Sequence, residues 1–193
     1  SELDVRLYVD HVLCKGTATG EARVERVGGT PPYATLWSTG ATNAIITNLT
    51  AGAYWVQVLD SNGCDTTINF MVTEPNRLES SGVVGHLECY EDNSGWIKVS
   101  TLEGTPPYSY LWNNGETSDS IGGLSAGNYA VTVTDSNGCD TVLNFELDQP
   151  DPLDFQLVLT NNLCFGDSMG MASISGTGGT GSYTFTWSTG ETG

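Results

Sequence analysis

Ala53-Tyr54-Trp55-Val56-Gln57-Val58-Leu59-Asp60-Ser61-Asn62-Gly63-Cys64-Asp65-Thr66-Thr67-Ile68-Asn69-Phe70-Met71-Val72 reads as two strands and the turn between them. Tyr54, Val56 and Val58 occupy alternate positions, with Trp55, Gln57 and Leu59 between them. A period of two is that of a strand with one face inward. Asn62-Gly63 ahead of a second strand pattern predicts a hairpin with a type I′ turn, in which both central residues take positive φ. The stretch returns at 128–147, where Tyr129, Val131 and Val133 hold the same places and Asp135-Ser136-Asn137-Gly138-Cys139-Asp140 is unchanged. Trp55 is the exception, because Ala130 stands there in the second copy.

Working outward, the offset that separates Cys14 from Cys89 holds along the whole chain. It relates Cys89 to Cys164 as well, and it links Tyr33, Tyr108 and Tyr183, and Trp37, Trp112 and Trp187. Residues 1–75 and 76–150 agree at 32 positions. Such self-similarity marks a repeat array. It divides the chain into two complete modules, 1–75 and 76–150, and the N-terminal part of a third, 151–193. Glu74-Pro75 and Gln149-Pro150 mark the joints, and linkers so short predict a semi-rigid string.

Strands are predicted near 3–9, 20–27, 33–38, 44–48, 53–60 and 65–72, and again at the equivalent places of the second module, with helix nearly absent. Short strands separated by Gly, Pro, Asn and Thr clusters predict an all-β chain of tandem immunoglobulin-like β-sandwiches. Alternation turns Tyr33, Thr35 and Trp37 to the core, with Tyr108, Tyr110, Trp112 and Tyr183, Phe185, Trp187 as counterparts. Ala34 and Leu36 point away.

Five cysteines fall at 14, 64, 89, 139 and 164, spaced 50 residues apart within each complete module. The spacing reads as one disulfide per module, Cys14 with Cys64 and Cys89 with Cys139, in an oxidising compartment. The hairpin turn holds Cys64 at one tip of the sandwich, opposite Cys14 on the first loop. Closing about 50 residues should stabilise so small a core by about 4 kcal/mol. Cys164 then needs a partner beyond Gly193, so the natural chain is expected to continue. A zinc site has no CxxC pair and only His11 and His86 to draw on.

A formal net charge of −17 repels nucleic-acid phosphates and anionic lipid, which excludes both as expected partners. No apolar run approaches the roughly 18 residues of a membrane span, and no basic-then-apolar stretch begins the sequence, so any leader is expected to lie outside it. Catalysis lacks a constellation: His11 and His86 sit at equivalent loop positions without a repeated serine partner, and small repeated modules rarely form a deep cleft. The chain is expected not to be an enzyme and to need no cofactor.

Gly28-Gly29-Thr30-Pro31-Pro32-Tyr33-Ala34-Thr35-Leu36-Trp37-Ser38-Thr39-Gly40, Leu49-Thr50-Ala51-Gly52-Ala53-Tyr54 and Asp60-Ser61-Asn62-Gly63-Cys64-Asp65 together resemble the SprB repeat. Gly178-Gly179-Thr180-Gly181-Ser182-Tyr183 and Trp187-Ser188-Thr189-Gly190 extend the resemblance into the third module. Glu103 departs from it where the first module has Gly28. The resemblance implies a large extracellular surface protein of Bacteroidota, of the gliding-motility adhesin type, exported by the type IX system and displayed as filaments. Neighbouring repeats of the same chain, and a surface polysaccharide or other surface ligand, are then the expected partners.

Other constellations have two readings each. Asp60, Asn62 and Asp65, repeated as Asp135, Asn137 and Asp140, carry oxygens spaced loosely like a calcium loop, with Glu74 as an extra ligand that Gln149 replaces. The favoured reading is a turn whose Asp and Asn bond their own backbone. Thr66, Ser120, Thr141 and Ser168 lie in Asp-Ser/Thr-apolar triplets that resemble a Bacteroidota O-glycosylation motif. Trp55 and Trp96 are aromatic in one module only, and suit an interface between modules or a stacked sugar. A carbohydrate-binding accessory module of a secreted enzyme is therefore the alternative to a structural and adhesive repeat.

Overall fold

The computed structural model describes residues 2–161, 166 and 170–193. Among them every regular element is a strand, and none is a helix long and apolar enough to cross a membrane. The chain divides into two compact units. One comprises Ser1–Ser80, Thr101–Ser109 and Thr132–Thr141; the other comprises Ser81–Ser100, Tyr110–Val131 and Val142–Gly193.

Within the first unit, β1 (Val5–Asp10), β2 (Gly20–Arg26) and β4 (Ile45–Leu49) form one antiparallel sheet. β3 (Ala34–Trp37), β5 (Gly52–Leu59) and β6 (Asp65–Val72) form another. These orders are those of strands A-B-E and C-F-G in an immunoglobulin sandwich, with strand D not formed. One core cluster joins the sheets: Ala22, Val24, Ile46 and Leu49 from the first meet Trp37, Val56, Val58 and Val72 from the second. Each large apolar side chain so buried contributes about 1.5–3 kcal/mol relative to exposure.

Two local features fix the sandwich. Trp37, 1% exposed, lies opposite Val56 in the sheet and donates its Nε1–H to Asn43 O at 2.8 Å, so the buried indole leaves no polar group unpaired. Tyr54, near the start of β5, donates its hydroxyl to Thr50 O at 3.1 Å. That is the tyrosine corner of immunoglobulin-type sandwiches, and Tyr129 repeats it on Ser125 O at 3.0 Å. In the first unit the predicted faces agree, with Thr35, Val56 and Val58 buried and Leu36 and Leu59 exposed, whereas Tyr183, predicted to face a core, is exposed.

β7 (Ser80–Gly85), β8 (Gly95–Thr101) and β10 (Ser120–Leu124) make a third sheet, and β9 (Ser109–Trp112), β11 (Gly127–Thr134) and β12 (Asp140–Leu147) a fourth. Their orders repeat those of the first two. β13 (Asp154–Thr160) and β14 (Met171–Thr177) pair antiparallel as a fifth. In the second unit glycine makes room for aromatic rings. Trp96 lies over Gly85 and beside Gly122 on the flanking strands, and Phe145 lies over Gly82; a Cβ at Gly82 or Gly85 would collide with the ring above it.

The turn differs from the type I′ expectation. Gly63 has φ 82°, but Asn62 is not at positive φ; Gly63 N–H donates to Asp60 O at 3.1 Å, and Asp60 N–H to Cys64 O at 2.9 Å. This is a type I turn closed by a glycine bulge, and Asn-Gly supplies its third and fourth residues rather than its two central ones.

Candidate functional site

The cysteines are not joined within modules, contrary to what their spacing predicted. Cys14 is bonded to Cys139, with Cα atoms 5.6 Å apart and 125 residues between them in sequence, while Cys64 and Cys89 are free and exposed. Strand length is the physical reason. The loop bearing Cys14 lies beside the end of β6: Val12 N–H donates to Thr73 O at 3.0 Å, Thr73 N–H to His11 Nδ1 at 3.1 Å, and Gly16 N–H to Glu74 Oε2 at 2.8 Å. Cys64 immediately precedes the first residue of β6, which is 8 residues long. At about 3.3 Å per residue, roughly 25 Å separate the two ends, whereas a disulfide needs Cα atoms within about 7 Å. The same arrangement along β12 keeps Cys89 from Cys139. Here Leu87 N–H donates to Asp148 O at 3.0 Å and Asp148 N–H to His86 Nδ1 at 3.0 Å.

Both partners of the bridge are held by their surroundings. Asp135 Oδ1 accepts from the N–H groups of Asn137 and Cys139, each at 2.9 Å, and Oδ2 accepts from Thr105 N–H at 3.0 Å. Three donors on one buried carboxylate fix the turn and set the direction of Cys139. Asn137 Nδ2 donates to Leu13 O at 3.1 Å, next to Cys14, and to Thr105 Oγ1 at 3.0 Å. Leu13 N–H donates to Thr19 Oγ1 at 2.8 Å, and Thr17 Oγ1–H to Cys14 O at 2.8 Å, which closes the loop on itself. The junction is thus one disulfide with an amide beside it.

The carboxylate of Asp60 is used as that of Asp135 is, by Asn62, Cys64 and Thr30 N–H groups at 2.9, 2.9 and 3.0 Å. Burial pushes its pKa up, but these donors, Cys64 foremost, hold it below the ordinary 3.8. Asn62 Nδ2 donates to Thr30 Oγ1 and Gln57 Nε2 to Asp65 Oδ2, so the residues weighed for calcium bond within the turn and its neighbours. Among the described residues no cluster of three or more His, Cys, Asp or Glu could hold a metal. Glu74 and Gln149 serve one purpose: Gln149 Oε1 accepts from Glu91 N–H at 3.0 Å as Glu74 accepts from Gly16. A side-chain oxygen suffices for this hydrogen bond, and Glu74 in addition pairs with Lys15 at 4.0 Å. His11 and His86 likewise accept from the backbone beyond β6 and β12, roles that the sequence reading missed although the repetition of both residues signalled them.

The remaining candidates are dispersed. Thr66 and Thr141 are half-buried on the alternate positions of β6 and β12 that also carry Phe70 and Phe145, whereas Ser120 is exposed at the start of β10. Ser168, like Cys164, lies outside the described residues. Trp55 is exposed on β5 opposite Asn69, with Met71 beside it in a shallow groove. Trp96 lies against the glycines of its own sheet, Gly85 and Gly122, and is still exposed.

No curated protein sequence matches the chain significantly. Two solved structures show a low likeness. The amphioxus IgVJ-C2 molecule is 13% identical, with a TM-score of 0.30, over 76% of this chain and 98% of that one. The C-terminal 282-residue fragment of intimin, in complex with the intimin-binding domain of its translocated receptor, is 12% identical, with a TM-score of 0.37, over 82% and 67%. The SprB repeat family model matches residues 9–42, 86–117 and 157–192, together just over half of the sequence. The first two segments take in the loops of Cys14 and Cys89 and run through the strands that end at Trp37 and Trp112, and with the match over more than half of its length the chain belongs to the SprB repeat family.

Proposed function

We propose that this chain is a tension-bearing segment of a large bacterial surface adhesin, built of tandem immunoglobulin-like modules, 1–75, 76–150 and the beginning of a third at 151–193. The observation that carries the reading is the Cys14–Cys139 bridge, which ties a loop of the first repeat to a turn of the second. A disulfide inside one module would protect that module alone. One that spans two repeats lets tension applied at the chain ends pass from residue 14 to residue 139 through sulfur, leaving the backbone between them slack. Repeat proteins otherwise resist extension only through the stability of each repeat and its neighbours.

An extracellular cell-surface location fits the same bridge, since structural disulfides persist in oxidising compartments. The acidic surface suits a segment that must stay soluble and unassociated at high local density. Gliding motility, type IX export, surface-polysaccharide binding and O-glycosylation at Ser120 belong to this proposal through the family. Pulling single molecules before and after reduction tests it: lengthening by the whole loop supports the reading, and an unchanged extension overturns it.

A further inference from the structure

The second unit contains a loop like the one around Cys14, but its cysteine has no partner. Cys89 is exposed and free. Glu88 N–H donates to Ser94 Oγ at 2.9 Å as Leu13 does to Thr19, and Cys89 N–H donates to Asp92 Oδ2 at 3.0 Å. Glu91 has φ 57°, matching φ 77° at Gly16. The loop is therefore set in the conformation that, at Cys14, receives a turn cysteine. The carbonyl next to it is met by the third repeat. Thr180, the counterpart of Thr105, donates its hydroxyl to Glu88 O at 3.3 Å. At Leu13 O the Asn137 amide lies between that carbonyl and the threonine.

Beside Cys89 is a cavity of about 650 Å³ that also takes in Leu153, Phe155, Ile174 and Tyr183. β13 and β14 pair in the register of β1 and β2: Leu157 lies opposite Ile174 as Leu7 lies opposite Val24, and Leu159 opposite Ala172 as Val9 lies opposite Ala22. In the first unit that face is covered, with Val5, Leu7 and Val9 packed on a core containing Val56, Val58 and Val72 of β5 and β6. On β13 the same face is open, with Phe155 65% and Leu159 62% exposed. An apolar strand face of this kind marks an interaction surface.

The geometry points to one occupant for both features: a β-hairpin of a further repeat, of the β11–β12 type, whose inward residues cover β13–β14 and whose Asp-Ser-Asn-Gly-Cys-Asp turn delivers a cysteine to Cys89. The docked pair then forms a disulfide. Each thiol gives up one proton and one electron, and a disulfide oxidant of the glutathione type accepts both pairs and leaves as two thiols. This inference rests on the proposed function and extends it, because the 14–139 bridge becomes one rung of a recurring series.

The test uses the full chain with its native bridge intact, a synthetic peptide of residues 125–150, which has Cys139 as its single cysteine, and a glutathione redox buffer. Digestion and mass spectrometry then locate the peptide on Cys64, Cys89 or Cys164. Docking raises the effective thiol concentration, so Cys89 should carry at least about tenfold more peptide than Cys64. The excess should vanish for a control peptide with Val131→Asn, Val133→Asn and Phe145→Ser, and for a chain with Phe155→Asp and Leu157→Asp. Equal modification of Cys64 and Cys89, preference for Cys164, no adduct, or equal reaction of the control peptide would overturn the inference. The same digest reports Cys14–Cys139: if that bridge is present and Cys89 shows no preference, only this inference fails, and if the bridge is absent the proposed function fails with it.

Discussion

Reduction should lengthen the fully extended chain by about 430 Å. The bridge holds the Cα atoms of residues 14 and 139 at 5.6 Å across 125 residues of sequence, and an extended backbone spans at most about 3.3–3.6 Å per residue. Pulling on the two termini of the oxidised chain therefore extends only the segments outside the bridge, even after every module has unfolded. The readout is contour length at high force, before and after a reducing agent, and it does not depend on how the folded units are arranged. Bridges inside each module would give a different pair of numbers. Reduction would then release two loops of 50 residues, about 350 Å in all. Cys14→Ser separates the cases more sharply: it should free the full length of about 430 Å by itself, whereas breaking one intramodule bridge would free about 175 Å. A gain on reduction of only about 350 Å, or a Cys14→Ser gain of only about 175 Å, would refute the reasoning.

Other outcomes follow from the same structure. In the chain-entropy model a loop of 125 residues stabilises by about 5 kcal/mol against unfolding of the whole loop, so Cys139→Ala should lower the urea midpoint and raise m, because the denatured chain without the cross-link is more expanded. Trp37→Ala should destabilise by about 3–5 kcal/mol, because it empties the centre of the core and orphans Asn43 O, whereas Leu36→Ala should stay within about 0.5 kcal/mol in the same denaturation assay. Asp60 has a folded-state pKa below its ordinary 3.8, so its contribution is present at neutral pH and lost as pH falls through that folded value; Asp60→Asn should flatten the acid limb of a plot of Tm against pH. Asp92, held low first by the Ser94 N–H and also by the Ser94 hydroxyl and Cys89 N–H, should add to the same limb, and Asp92→Asn should flatten it further.

The strands were legible because alternation is a local signal. Tyr54, Val56 and Val58 announce an inward face whatever the rest of the chain does, and the interrupting Asp60-Ser61-Asn62-Gly63 marks where the strand turns. The fold class followed from strand spacing, and the tyrosine corner and buried Trp37 then fell where an immunoglobulin sandwich puts them. The cysteine pairing was not legible from spacing, because an equal interval of 50 residues counts cysteines without saying at which end of the sandwich each one sits. The missing information was in the strand lengths: an eight-residue strand between Cys64 and the end beside Cys14 already forbids their union. The packing of Trp96 against Gly85 and Gly122 across the sheet was hidden for a related reason, because these residues become neighbours only through register. The type I turn with a glycine bulge, in place of type I′, reflects a choice between two geometries that Asn-Gly serves equally well.

Non-reducing peptide mapping of native, alkylated protein is the most direct measurement of the central claim. A single cross-linked species joining the peptide of Cys14 to that of Cys139, with Cys64 not linked to Cys14, is the predicted result. A Cys14–Cys64 or a Cys89–Cys139 species would contradict it.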